Sequence, residues 1–176
     1  QQRHFLMCAY HALEDAGYDP VSCPELTGVF ASSWYSGYLQ HELQGGDFNN
    51  PMKPEAFLRT ESGNLPDYIA SRLAYCLNLR GMAVGVQTSC SSGLSVINHG
   101  IQALLLGQVD MALAGAASIV WPRGGHVSTS GFINSVDGTV RSFDRSATGT
   151  SFSDGVGCVV LKRLDDALQD GDDIYA

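Results

Sequence analysis

The segment Val84-Gly-Val-Gln-Thr-Ser-Cys-Ser-Ser-Gly-Leu-Ser-Val-Ile97 gathers nucleophilic side chains as no other stretch of this chain does. The apolar run at Ala83–Val86 predicts a strand, and residues 91–106, with Leu94, Ile97, Ile101, Leu104 and Leu105 apolar, predict a helix. Cys90 falls at the junction. The first N–H groups of a helix have no partner inside it, and its dipole favours negative charge there. A thiol at such a terminus is a candidate nucleophile, and the same N–H groups can hold a developing oxyanion. Ser91, Ser92 and Gly93 leave room beside the sulfur for a substrate. A cysteine met at random is more often a small buried hydrophobe; the strand-to-helix elbow is what sets Cys90 apart. Cys8 and Cys76 fall inside predicted helices, Cys158 inside a strand, and Cys23 in a loop beside Pro24, and these four are read as structural thiols.

A nucleophilic cysteine ordinarily works with a histidine, and none of the five histidines fits well. His99 lies nine residues past Cys90 on the same helix, so it faces the opposite way, roughly 13 Å along the axis. His4 and His11 share a face of the first helix, and His41 lies in a long polar excursion. His126, in Arg123-Gly-Gly-His126, is the one loop histidine near a strand end, and the general base is expected to lie outside this sequence. Other motifs fail on spacing. Gly155-Val-Gly157 precedes a strand instead of following one, which excludes a dinucleotide fingerprint. Asp170, Asp172 and Asp173 lack the ligand spacing of a calcium loop and read as an acidic turn. Arg141, Asp144 and Arg145 read as a structural salt-bridge set. No metal site is expected.

Around the elbow, helices and strands alternate. Residues 1–16 predict a helix, with Phe5, Leu6, Ala9, Ala12, Leu13 and Ala16 at three- and four-residue spacing and Gly17 and Asp19-Pro20 as its stop. Leu26–Ser32 predicts a strand, and Ser36–Asn64 a surface excursion with one helical turn near Glu55–Leu58. Tyr68–Leu77 predicts a helix with Ile69, Leu73 and Leu77 inward. Met111–Val120 and Gly157–Leu161 read as strands covered on both faces. A loop, Trp121–Asp144, follows the first of them. Asp165–Asp170 predicts a short helix, and Ile174-Tyr175-Ala176 the start of a further strand. This alternation predicts an α/β layered fold containing parallel strands. Both termini read as cut through secondary structure, so residues 1–176 are taken as a single incomplete domain.

Composition narrows the function classes. The chain is 44% hydrophobic but only 16% charged, against about 25% in an average domain. With 20 glycines it is expected to bury much of its surface in a larger body or a partner. A net charge of −8 argues against nucleic acid and anionic membrane surfaces as partners. The nearly apolar run Met111–Trp121 is too short for a membrane helix. Five scattered cysteines with no Cys-x-x-Cys pair read as reduced thiols in a cytoplasmic protein.

Taken together, the residues resemble the amino-terminal half of a β-ketoacyl synthase, specifically the ketosynthase domain of a modular polyketide synthase. The resemblance rests on Gln1-Gln-Arg with Ala12-Leu-Glu-Asp-Ala-Gly17, on Gly28-Val-Phe30 and on Gln87-Thr-Ser-Cys-Ser-Ser92, where the family has Asp-Thr-Ala-Cys-Ser-Ser. Asp110-Met-Ala-Leu-Ala-Gly115, Asp137-Gly138 with Ser142-Phe-Asp144, Gly155-Val-Gly157 and Val160-Leu-Lys-Arg-Leu164 continue it in order. It implies a thiolase-like α/β/α fold of two related halves, with most of the first half here. It implies that Cys90 takes an acyl chain from the phosphopantetheine of an acyl carrier protein, with no cofactor bound directly. A malonyl-type extender then loses CO₂, and its carbanion attacks the thioester to give a β-ketoacyl product. Two family histidines, in His-Gly-Thr-Gly-Thr and a later Gly-His, belong to the remaining C-terminal half. The strand near Met82–Val86 is expected to pair across the two-fold axis of a homodimer. Gln87 for Asp, Ser89 for Ala, Gly93 for Ser and Asp154 before Gly-Val-Gly depart from the family pattern and are expected to tune packing. The alternatives are a stand-alone 3-oxoacyl-carrier-protein synthase of fatty-acid synthesis and a non-catalytic partner protein of the same fold. The 176-residue piece alone is expected to be inactive in condensation and to expose apolar faces.

Overall fold

A computed structural model describes residues 1–43 and 53–176. Its strands are β1 (Thr27–Ser33), β2 (Ala83–Gly85), β3 (Met111–Ser118) and β4 (Gly155–Lys162). They form one sheet in the order β2-β1-β3-β4, with β1 parallel to both β2 and β3 and β4 antiparallel to β3. The helices are α1 (Gln2–Asp15), α2 (Pro54–Asn64), α3 (Ile69–Cys76), α4 (Ser92–Leu105) and α5 (Leu164–Asp170). α1 and α3 cover one face of the sheet and α4 the other.

Strand periodicity accounts for the two layers of core. Val29 and Ala31 of β1, with Met111 and Leu113 of β3, point toward α1 and α3 and meet Phe5, Ala9, Leu13, Ile69 and Leu73. Their neighbours Phe30, Ala112 and Ala114 point the other way and meet Val96, Ala103 and Leu104 of α4. Phe5 and Leu13 are fully enclosed, and each such side chain contributes about 1.5–3 kcal/mol by leaving water. Ile69, Leu73 and Leu77 turn inward as their spacing predicts.

α4 forms where the sequence predicts it, but the sheet covers only part of its apolar surface. Of its long apolar side chains only Leu104 is buried, whereas Leu94 and Leu105 are both 76% exposed and Ile101 is 42% exposed. The helix is apolar on two sides and the sheet takes one. Pro54 at the first position of α2, where the missing N–H costs nothing, starts a helix of 11 residues where the sequence suggested a single turn. Thr60 Oγ1 donates to Ala56 O and Asn64 Nδ2 to Thr60 O, extending it to Asn64. The rest of the predicted excursion carries a short π-turn at Leu39–Leu43, and its residues 44–52 lie outside the described ones. Ile174–Ala176 is not a strand, contrary to expectation. A strand needs a laddered neighbour; here Tyr175 instead donates its hydroxyl to the Asp15 carboxylate at 3.0 Å.

Two polar clusters hold the layers in place. The Arg163 guanidinium donates to Val109 O at 2.8 Å, Leu104 O at 3.1 Å and Asp110 Oδ1 at 2.8 Å, and also pairs with Asp166. It thereby joins the end of α4, the start of β3 and the first turn of α5. Lys162 Nζ, on a side chain only 8% exposed, reaches Asp172 Oδ2 at 2.7 Å, Tyr18 Oη at 2.8 Å and the Asp170 carboxylate. The acidic turn read in the sequence is therefore the counter-charge of Lys162. Burial opposes the Lys162 charge, but these three partners outweigh it and hold the ammonium above its usual range.

Candidate active site

Because β1, β2 and β3 run parallel, their carboxyl ends lie along one rim of the sheet, and β4 starts from the same rim through the Ser118–Gly155 pair. The rim carries the elbow. After β2, the Val86 N–H still donates to Ala31 O at 3.0 Å, and the buried Ser32 hydroxyl donates to Gln87 Oε1 at 3.0 Å. Gln87, which departs from the family pattern, thus ties the outgoing chain to β1. The backbone then turns through Ser89, whose φ of 55° is left-handed, into one turn of 3₁₀ helix at Ser89–Ser91 and on into α4. Cys90 lies in this turn with an exposed, unbridged thiol, where the sequence placed it.

A lattice of hydroxyls braces the turn. Ser92 Oγ accepts the Thr88 N–H at 2.9 Å and donates to Ser89 O at 2.8 Å. Ser91 Oγ donates to Thr88 O at 2.8 Å, and Thr88 Oγ1 bonds Ser95 Oγ at 2.9 Å. Sequence reading treated Ser91 and Ser92 as spacers; their density beside Cys90 was the available signal of this bracing role. Gly93 has nothing within 4 Å of the position a Cβ would take, so the space beside the elbow is open.

None of the other candidate thiols or histidines that the structure describes is recruited to this turn by a hydrogen bond. The His99 Nδ1–H donates to Ser95 O at 2.8 Å, one turn back on its own helix. The His126 Nε2–H donates to Ser135 O at 2.6 Å and ties down the loop after β3. His11 pairs with Glu14. Burial and the Asp19 carboxylate push the Cys23 thiol up to about 11, and burial with Cys8 nearby pushes Cys158 up to about 12; both fit structural thiols. Arg141 pairs with Asp137 and not with Asp144, whose carboxylate takes the Ser146 N–H and hydroxyl, which corrects the salt-bridge set read from the sequence. Asp154 accepts the Val120 N–H at 2.8 Å and pairs with Arg123, so this departure from the family pattern anchors the start of the long loop. Nearby, Tyr38 stands edge-on to Trp121 with ring centroids 6.1 Å apart. Among the described residues no helix is long and apolar enough to cross a membrane.

Comparison with known proteins agrees with this geometry. A phenolphthiocerol/phthiocerol polyketide synthase of Mycobacterium tuberculosis is 42% identical over 185 residues, covering 100% of this chain and 12% of that protein. A hybrid PKS-NRPS synthetase of Gloeophyllum trabeum is 38% identical, covering 100% of this chain and 11% of its own length. The chain therefore spans only about an eighth of the curated relatives it matches. Among solved structures, ketosynthase twelve of the bacillaene polyketide synthase in Bacillus amyloliquefaciens superposes with a TM-score of 0.86 at 30% identity, over 100% of this chain and 30% of that one. The ketosynthase from module 6 of the bacillaene synthase of Bacillus subtilis 168 gives 0.75 at 33% identity, over 99% of this chain and 29% of that one. The layered α/β sheet is thus that of the thiolase-like ketosynthases. The family profile described as beta-ketoacyl synthase, N-terminal domain, matches residues 1–167, and the chain belongs to that family.

Proposed function

We propose that this chain supplies the nucleophile-bearing portion of a polyketide synthase ketosynthase, residues 1–176 forming part of one larger domain, and that Cys90 is the acyl acceptor. The carrying observation is an exposed thiol on a braced strand-to-helix turn at the carboxyl rim of a parallel sheet, in a chain of this family. The Cys90 thiolate attacks the thioester carbonyl of an acyl chain on the phosphopantetheine of a carrier protein. The S–acyl bond forms at Cys90, the carrier C–S bond breaks, and the carrier sulfur leaves as a thiol. A backbone N–H of the turn holds the developing oxyanion; those of Ser91 and Ser92 already donate to Thr88 O and Ser89 O. A carrier-bound malonyl-type extender then loses CO₂, its carbanion attacks the Cys90 thioester, and the Cys90 thiolate is released with the β-ketoacyl product on the carrier.

By the resemblance, two histidines of the rest of the domain serve decarboxylation and proton transfer, so this chain alone accepts an acyl group without condensing it. β2 is one of the two edge strands of the sheet among the described residues, which supports the homodimer pairing that the resemblance implies, and five free cysteines suit a cytoplasmic protein.

The test is Cys90→Ala in the full-length protein, offered an acyl-carrier thioester and followed by peptide mass spectrometry. The native protein gains the acyl mass on the Cys90 peptide and condenses. The variant is expected to do neither, and undiminished condensation by it would overturn the assignment.

A further inference from the structure

We propose that Ser92 is a positioning residue for Cys90: its hydroxyl clamps the left-handed backbone at Ser89 and so fixes the direction in which the thiol leaves the turn. The inference rests on the reading of Cys90 as acyl acceptor. A residue other than Gly, Asn or Asp rarely holds a positive φ, because its Cβ crowds the backbone, and it stays there only when its surroundings over-determine it. Ser89, at φ 55°, is such a residue and directly precedes Cys90. Two backbone groups bracket it, the Thr88 N–H and the Ser89 carbonyl, and Ser92 Oγ takes both at once, accepting the first at 2.9 Å and donating to the second at 2.8 Å. Ser92 is only 8% exposed, so water competes poorly for those bonds. Ser91 bonds Thr88 O from the solvent side, and Ser95 holds the Thr88 hydroxyl one turn on, but neither reaches Ser89. None of these bonds involves the sulfur. The direction of the Cys90 side chain is therefore set through the backbone that Ser92 holds, and a shift near 1 Å in a reacting atom can cost about a hundredfold in rate.

The experiment uses the full-length protein and the acetyl thioester of pantetheine as probe, with the acetylated Cys90 peptide followed in time. Ser92→Ala is expected to slow acetylation about tenfold, as the loss of one to two hydrogen bonds implies, with the KM for the thioester unchanged. Ser92→Thr, which keeps the hydroxyl, is expected to stay near the native rate. Ser89→Gly/Ser92→Ala is expected to recover most of the loss, because glycine takes φ 55° without a clamp. A native rate in Ser92→Ala, a slow Ser92→Thr, or a double variant no faster than Ser92→Ala overturns the proposal. If Ser92→Ala does not fold, the double variant decides: folded and reacting within about threefold of native it supports the clamp, and unfolded or unreactive it overturns it. Cys90→Ala run alongside separates the two readings. Acetylation at another residue in the native protein would sink the Cys90 assignment, whereas acetylation confined to Cys90 and indifferent to Ser92 would sink only the clamp.

Discussion

An alanine at Gly115 would place its Cβ 2.2 Å from Gly157 O and 2.8 Å from both Cys158 Cα and Phe5 Cε2. An ordinary contact is about 3.5 Å, so the backbone must give by roughly 1 Å. β3 has nowhere to go: it is laddered to β1 on one side and β4 on the other, and the enclosed Phe5 ring sits above it. Overpacking of this kind costs about 1–3 kcal/mol. At about 1.4 kcal/mol per tenfold, separation of β4 from β3 becomes roughly 5 to 150 times more frequent. Cys158 reports that opening, because it pairs with Gly115 in the ladder and its thiol is pushed up to about 12 by burial and by Cys8 nearby. The raised value keeps the closed thiol protonated at pH 8, and opening returns it to an ordinary thiol. The assay is iodoacetamide labelling of the full-length protein at pH 8, with the Cys158 peptide counted by mass spectrometry. Gly157→Ala is the control, since nothing lies within 4 Å of its added Cβ, one position before Cys158 on β4. Equal labelling of native protein and Gly115→Ala, or an equal rise in the control, would refute the argument.

Asp172 contributes to the acid limb of stability. Burial pushes its carboxyl up, but Lys162 Nζ and Tyr18 Oη outweigh this and hold it below the usual range. A carboxyl depressed in the folded state stabilises above its unfolded value, near pH 4, and that contribution is lost as pH falls through the folded value. Asp172→Asn is therefore expected to flatten the decline in denaturant midpoint between pH 5 and pH 3, and an unchanged decline would contradict the assignment. Arg163→Lys keeps the charge but loses the planar fork that spans Leu104 O, Val109 O and Asp110; it is expected to lower stability by about 1–3 kcal/mol. A native midpoint in urea would show that the fork carries no weight.

The elements around Cys90 were legible because local pattern and tertiary demand agree there. Val84 and its neighbours read as strand, and the residues after Ser91 as helix, and both form within a residue or two of the predicted ends. The bracing was legible only as a cluster of hydroxyls beside Cys90; the one-dimensional order does not say that Ser92 turns back to Thr88 and Ser89 instead of facing solvent. The same holds for Gln87, whose partner Ser32 lies 55 positions earlier. Ile174–Ala176 misled because β-branched and aromatic side chains favour a strand, but a ladder partner decides whether one forms. Leu94 and Leu105 show a different limit: helical spacing marks an apolar face without saying whether the sheet takes that face. Asp144 read as an arginine partner from proximity in sequence, whereas the turn offered it the Ser146 N–H and hydroxyl two residues on.

The hydroxyl lattice has a consequence for how such a turn can be transplanted. Its bonds run among Thr88, Ser89, Ser91, Ser92 and Ser95, and the Ser32–Gln87 bond ties the adjoining residue to the neighbouring strand. The geometry that presents the thiol is therefore written almost wholly within eight consecutive residues. Placed singly in a chain that lacks the others, these residues would arrive without their bonding partners. Moved together as a cassette, with position 32 matched to position 87, they would carry the turn with them.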